Sequence, residues 1–401
     1  MSEPIVIIGA GQAAATAVTT LRGAGHAGAI VVLGDESEPP YQRPPLSKAY
    51  LAGAVEASRL YLKAANYYES NGIDLRLNAR VTAIDLAGRR LSVAGGGDLA
   101  YGKLLIATGS RARALPLPGG ELDGVVTLRT TADVEDIRQR MAQCENIAVI
   151  GGGYIGLEVA AVARKLGHRV TVLEGRERVM ARVVSQQVSE FFETLHRGHG
   201  VEIRTDARIE RIAGTDRVTG VALAGGSTVP AELVLVAVGA QPNDELAAAA
   251  GLPVRDGIAV DLSARTAAPD VYAAGDCTRF FSGRYGREVR LESVQNAIDQ
   301  AKTAAAAMLG DAQAYDPVPW FWSDQYDIKL QIAGLSDGYD RTTLDKTSDT
   351  SFAVSYFKGD RLLAVDAINA ARAHMLSRRA LAGEAEGAPP QRTRMAAEQK
   401  V

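Results

Sequence analysis

Two stretches of the chain join a β-branched run, a glycine cluster and a distant acid in the same order. Gly9-x-Gly11-x-x-Ala14 follows Ile5-Val6-Ile7-Ile8, and Gly151-x-Gly153-x-x-Gly156 follows Ile147-Ala148-Val149-Ile150. In such a motif the first glycine makes a tight turn. The second lets the backbone approach a pyrophosphate, and a small third residue lets helix and strand pack closely. The helix that opens there points unpaired N–H groups and the positive end of its dipole at the anion. Each copy is followed by a second apolar run that ends in acid, Asp35 in the first and Glu174 in the second. A carboxylate there suits ribose hydroxyls, and at Glu174 it disfavours a 2′-phosphate, so NADH is expected over NADPH. Arg176 and Arg178 stand close by and soften that preference. Two dinucleotide sites in one chain imply flavin in one and nicotinamide in the other. The chemistry is then hydride transfer followed by release of single electrons.

The elements that must position these residues form a repeat. Each half reads as βαβ, then a meander, then a closing apolar strand that ends in Gly109 or Gly239. The meanders are expected over 76–93 and 201–223, with turns at Gly95-Gly96-Gly97 and Gly225-Gly226. After the second closing strand come Ala274-Gly275-Asp276 and an Ala-rich helix over 293–308. Asp276 is placed at a strand end before a helical region. From Trp320 the texture changes, and 352–365 reads as a hairpin around Gly359-Asp360. The resulting division is a discontinuous domain of 1–113 and 241–315, an inserted domain of 114–240, and a C-terminal α+β domain of 316–401. A flexible tail is expected from about 383.

Composition narrows the classes. At 401 residues with 47% apolar and 23% charged residues, the chain has material for two or three domains. A net charge of −3 provides no basic field for nucleic acid. Five histidines and two cysteines, Cys144 and Cys277, leave little for a metal site. Met1 to Pro4 lead straight into an apolar strand without a basic targeting region, and no apolar run is long enough to span a membrane. A cytoplasmic protein, with no membrane and no nucleic acid among its partners, is the expectation.

The segments Pro40-Tyr41-Gln42-Arg43-Pro44-Pro45-Leu46-Ser47-Lys48, Gly151 to Ala160, Ala274-Gly275-Asp276-Cys277, Leu291 to Ala297 and Pro319-Trp320-Phe321-Trp322-Ser323-Asp324-Gln325-Tyr326 resemble the NAD(P)H-dependent ferredoxin reductases that serve oxygenases. The resemblance runs over about 4–370 and fades from about Ala371. It implies the glutathione-reductase fold, an α/β protein with two Rossmann-like domains and a C-terminal α+β domain. It implies noncovalent FAD, with Gly9, Gly11 and Ala13 at the pyrophosphate and Asp35 at the adenosine ribose. Val81 is matched to the adenine, Asp276 to the ribityl chain, and Arg43, Lys48, Arg129, Val294 and Trp320 to positions along the cofactor and its flavin end. For NAD it implies Gly151, Gly153, Tyr154, Ile155, Gly156 and Glu174, with Glu158 facing the nicotinamide. Lys48 and Glu158 are the catalytic candidates. A lysine near the flavin stabilises negative charge on the reduced ring.

Residues 40–50 hold no cysteine, which closes the disulfide and peroxide routes used by relatives of this fold. Catalysis then rests on proximity and orientation. The implied acceptor is a [2Fe–2S] ferredoxin that feeds a cytochrome P450 or an aromatic-ring dioxygenase. Arg372, His374, Arg378 and Arg379 form an acid-free stretch that could dock it. A rubredoxin reductase, or an apoptosis-inducing-factor-like flavoprotein acting by interaction, are the alternatives.

Overall fold

A computed structural model describes residues 3–383. The expected tail from about 383 lies almost wholly outside the described residues. The chain forms two compact units. One comprises the described residues up to Gln42, Ala57–Arg111 and Ala240–Pro317. The other comprises Arg43–Glu56, Ala112–Gly239 and the described residues from Val318 onward.

In the first unit, Ile5–Ile8, Ile30–Leu33, Lys103–Ile106, Ile73–Arg76 and Val271–Ala273 build a five-stranded parallel sheet. The first two strands are buried along their whole length, as a sheet covered on both faces requires. Gln12–Gly23 packs against Val294–Met308, and the contact is rich in alanine: Ala13, Ala14, Ala17, Ala301, Ala304 and Ala305 share one core. Small side chains let two helix backbones approach closely. Ser293 caps the second helix by accepting from the Asn296 N–H at 3.1 Å.

The second unit repeats the parallel sheet with Glu202–Arg204, Arg169–Leu173, Asn146–Ile150, Leu233–Val236 and Val125–Val126, in that order across the sheet. It also contains a five-stranded antiparallel sheet, ordered Trp320–Gln325, Ile328–Gly334, Arg361–Ile368, Ser351–Lys358, Arg341–Ser348. The expected hairpin is present, turning at Gly359-Asp360. The helix Ala371–Ala382 packs on that sheet.

The meander boundaries need correction, in the same way in both halves. Ile73–Arg76 and Glu202–Arg204 belong to the parallel sheets. The meanders are Val81–Asp85, Arg90–Val93, Gly97–Ala100 and Ile209–Gly214, Val218–Leu223, Thr228–Pro230. In each half a short strand edge-pairs with the end of the parallel sheet, which is a tertiary choice that local pattern does not display. Asp276 is likewise followed by the hairpin strands Thr278–Ser282 and Arg287–Val289 before any helix begins.

One buried acid ties the antiparallel sheet to its surroundings. Asp366, fully buried, accepts from the Tyr356 hydroxyl, which in turn accepts the Ser185 N–H at 2.8 Å. Burial pushes the Asp366 carboxyl up to about 7. His196, also fully buried, is held down to about 4, again by burial. The two act in opposite senses. An acid whose native pKa is raised binds its proton more tightly when folded, so its contribution to stability falls as pH rises from about 4 to about 7. A histidine whose native pKa is lowered contributes stability that is lost as pH falls from about 6.5 toward 4. Asp366→Asn removes the first effect alone. Its melting temperature relative to wild type should therefore climb between pH 4.5 and pH 8, by the equivalent of a few kcal/mol at most, roughly. A constant difference across that range counts against the buried-acid assignment.

Candidate functional site

The two glycine loops have nearly the same backbone. Gly9 has φ +103°, and a Cβ there would lie 2.2 Å from the Ala107 carbonyl oxygen; for Gly151 the values are +105° and 2.4 Å from Ala237 O. Neither position admits a side chain, because each closing strand crosses directly beneath its loop. Gly11 and Gly153 are the N-caps of Gln12–Gly23 and Tyr154–Lys165. Neither helix start has a side-chain cap, and a Cβ on either glycine would meet nothing within 4 Å. The space beside each N-cap is thus open and each helix start lacks a side-chain cap, which fits a pyrophosphate in both places. The third motif position differs. Gly156 lies so close to its own loop that a Cβ would sit 2.1 Å from Gly151 O, whereas Ala14 is accommodated in a buried position.

Glu174 is anchored at the loop's rim: it accepts from the Gly152 N–H at 2.7 Å and from the Arg176 N–H at 2.9 Å. Arg178, expected to weaken a preference against phosphate, is occupied elsewhere. Its guanidinium donates to Val184 O, Ala181 O and the Ser189 hydroxyl. Ile155 is exposed at the same helix start. Tyr154 packs on Phe321 with centroids 4.9 Å apart, and its buried hydroxyl has no hydrogen-bond partner.

In the first unit Asp35 is exposed just beyond its strand, and Ala13 is buried in the first helix. Val81 opens the meander, and Val294 opens its helix. Asp276 accepts from the Ser110 hydroxyl at 2.9 Å. In the second unit Arg43 donates to the Arg129 carbonyl at 2.7 Å, immediately before a capping box in which Thr130 and Asp133 satisfy each other's backbone. Trp320 and Trp322 stack at 5.6 Å, and the Arg378 guanidinium lies over Trp320 at 4.9 Å. His374 is buried beside Trp320, and burial lowers its pKa, which disfavours a charge on it. Arg372, Arg378 and Arg379 are exposed.

Lys48 and Glu158 are brought together. The Lys48 ammonium is 2.7 Å from Glu158 Oε2, and Glu158 is only 3% exposed. Glu158 is thus no solvated helix residue. Two further donors converge on it: the Ser47 hydroxyl at 2.5 Å on Oε2 and the Ser323 hydroxyl at 2.6 Å on Oε1. The turn Pro44–Ser47 presents the lysine, the helix Tyr154–Lys165 the acid, and the strand Trp320–Gln325 the second serine. Sequence reasoning assigned no role to Ser47, Ser323, Gln325 or His196. The available signal was alternation: Ser323 and Gln325 fall on one face of their strand, as two polar residues where apolar ones are the norm.

The chain belongs to the pyridine nucleotide-disulphide oxidoreductase family, whose model matches residues 3–301, and residues 320–400 match a reductase C-terminal model. It is an oxidoreductase enzyme with the fold expected of that family, which implies use of FAD and a nicotinamide nucleotide. The resemblance to oxygenase-coupled ferredoxin reductases is borne out. Rhodocoxin reductase of Rhodococcus erythropolis is 45% identical over 390 residues, covering 96% of this chain and 91% of that protein. A ferredoxin reductase for the CYP199A2 system from Rhodopseudomonas palustris superposes with a TM-score of 0.91 at 44% identity, covering 94% of each chain. The covalent putidaredoxin reductase–putidaredoxin complex gives 0.92 at 41% identity, covering 95% of this chain and 93% of that one. The C-terminal match to residue 400 corrects the expectation that resemblance ends near Ala371.

Lys48 is the sole cation paired with Glu158 among the described residues. Lys48→Met should destabilise the protein by about 3–5 kcal/mol in urea unfolding, because it leaves a buried carboxylate without a counter-charge. Glu158→Gln in the same background should restore part of that loss. Additive losses in the double variant would refute a direct pair.

Proposed function

We propose that this enzyme is an FAD-dependent NADH:ferredoxin oxidoreductase whose acceptor is a [2Fe–2S] ferredoxin serving a P450 monooxygenase or an aromatic-ring dioxygenase. The observation that carries the reading is the state of the cysteines. The family takes its name from disulphide chemistry, yet Cys144 and Cys277 are both unpaired. Burial pushes the Cys144 thiol up to about 11 and raises Cys277 as well. Neither is the low-pKa thiolate that disulfide exchange requires. What remains is electron delivery to a separate protein.

When bound, the nicotinamide supplies a hydride and the flavin divides it into two single-electron deliveries. The chain's own residues bind and orient. The Gly9–Gly11 loop and the start of the first helix take the FAD pyrophosphate, with Ala13 in that helix, Asp35 on the adenosine ribose and Val81 on the adenine. Asp276 meets the ribityl hydroxyls. The resemblance also assigns Arg43, Lys48, Arg129, Val294 and Trp320 to FAD. Gly151, Gly153 and Gly156 shape the NAD pyrophosphate loop, with Tyr154, Ile155 and Glu174 along the nucleotide and Glu158 at its nicotinamide end. Glu174 supports NADH over NADPH, since its carboxylate is fixed by two backbone N–H groups and Arg178 is engaged elsewhere. The division into an FAD domain of 1–113 and 241–315, an NAD domain of 114–240 and a C-terminal domain of 316–401 follows these roles. Among the described residues no helix is long and apolar enough to cross a membrane, and a cytoplasmic setting agrees with the unpaired cysteines.

Cytochrome c reduction decides the matter. With NADH the rate should rise several-fold on adding a [2Fe–2S] ferredoxin, and NADPH should be the poorer donor. Glu174→Ala should narrow the difference between the two nucleotides. Stimulation by a rubredoxin alone, or by no iron–sulfur protein, rejects the acceptor assignment, and DNA retardation in a gel would favour an interaction role.

Arg372, Arg378 and Arg379 are proposed to contact an acidic acceptor. Arg378 also packs on Trp320, so the cleaner variant is Arg372→Glu with Arg379→Glu. It should raise KM for ferredoxin by about tenfold at low ionic strength, with the effect shrinking as salt increases. Ferricyanide reduction should be unchanged, and equal loss with both acceptors rules out docking there.

A further inference from the structure

The hydrogen bonds that reach Glu158 do not stop at Ser323. Gln325 Nε2 donates to Ser323 Oγ at 3.2 Å, and Gln325 Oε1 lies 2.8 Å from His196 Nε2. His196 Nδ1 in turn faces the Tyr326 hydroxyl at 3.4 Å, and His199 stacks on the Tyr326 ring at 3.7 Å. Ser323, Gln325 and His196 are each 0% exposed. Tyr326 holds φ at +57°, a strained conformation for a residue with a side chain, and from there its ring meets His196.

The donors in this chain all point one way. A serine hydroxyl has one proton. Ser323 can give it to Glu158 only if Gln325 presents its N–H₂ side and leaves that proton free. Reversing the amide would make Gln325 Oε1 the acceptor, and Glu158 would lose its donor. The amide's orientation is fixed by its far end, where the oxygen requires an N–H from His196. A neutral histidine has one such proton, so His196 must carry it on Nε2 and leave Nδ1 to accept from Tyr326. Burial keeps the ring neutral at physiological pH. A purely structural core would use apolar residues here at lower cost, because every polar atom placed in it needs a partner.

We propose that His196, Gln325 and Ser323 are a relay of positioning residues that holds the Glu158 carboxylate in the orientation used by the nicotinamide nucleotide, with the Nε2–H tautomer of His196 setting its direction. The proposal rests on the reading that Glu158 meets that nucleotide.

The test uses the FAD-loaded enzyme and two kinds of measurement. Side-chain ¹⁵N NMR of labelled histidine reads the His196 tautomer directly, without turnover, and should show Nε2–H. An Nδ1–H tautomer overturns the relay. NAD⁺ titration of the oxidised enzyme and stopped-flow flavin reduction by NADH read its consequence. Gln325→Glu is nearly isosteric, but its carboxylate accepts from both neighbours and draws the Ser323 proton away from Glu158. It should weaken NAD⁺ binding and slow flavin reduction, the two together amounting to about tenfold. His196→Leu should do the same. His196→Gln, whose amide nitrogen reproduces the Nε2 donor, should return to within about twofold of wild type. Dithionite-reduced enzyme should still deliver electrons to its acceptor at the wild-type rate in all three. Wild-type behaviour of Gln325→Glu and His196→Leu alongside an impaired Glu158→Gln overturns the relay alone. If Glu158→Gln also binds and reacts normally, the nucleotide role of Glu158 fails and the proposal falls with it, whichever tautomer is found.

Discussion

A carboxylate in the interior of the second unit sets terms for everything around it. Glu158 sits on the helix that the Gly151–Gly153 loop opens, one turn beyond its start, where exposure falls to 3%. A charge there is tolerable only with a counter-ion and enough donors to replace water. Lys48, Ser47 and Ser323 meet that demand from a short turn and from a strand of the antiparallel sheet. The acid thereby does structural work that apolar packing would not. It gives the helix a fixed rotation about its axis, and with it the direction in which the uncapped helix start faces. Loss of a donor would therefore cost stability as well as orientation, since the carboxylate it leaves unsatisfied stays buried.

The two glycine loops show what the motif requires and what it leaves free. Gly9 and Gly151 share φ within a few degrees and the same close crossing by the closing strand. That geometry is demanded by the turn and permits no variation. The third position answers instead to the helix's neighbours. The first helix lies against another through a stripe of alanines, and Ala14 fits. The second helix runs so near its own loop that only glycine fits at 156. One local motif thus serves two packing environments because its variable position is the one that faces them.

This separation explains how much was legible in the sequence. The strand–glycine–helix–strand–acid order is written in contiguous residues, and so is the Gly359-Asp360 hairpin. The expected meanders take in Glu202–Arg204 whole and Arg76 at the end of Ile73–Arg76, because nothing local distinguishes an edge strand of a parallel sheet from the first strand of a hairpin. Glu158 was visible only through family resemblance. Its surroundings were not visible at all, because Ser47, the Ser323–Gln325 strand and His196 come from three separate places in the chain. Such contacts are products of topology, and the only trace they leave locally is an out-of-place polar residue on a strand's inward face.

The buried ionisable groups of the second unit meet one problem with three solutions. Asp366 is pushed toward its neutral acid, with a tyrosine hydroxyl as its donor. His196 is held as the neutral base, hydrogen-bonded at both ring nitrogens. Glu158 alone is given a cation. The first two are inexpensive ways to bury a polar group, and each makes stability depend on pH in its own sense. The third costs more, since desolvating two opposite charges is repaid only by close, well-directed partners. A fold that uses the inexpensive answers nearby and the costly one at this position gains something there beyond stability. In the role proposed for it, an oriented charge pair held by these donors would not need to reorganise when a charged cofactor arrived, and fixed polarity of that kind is what hydride transfer between two held rings demands of its surroundings.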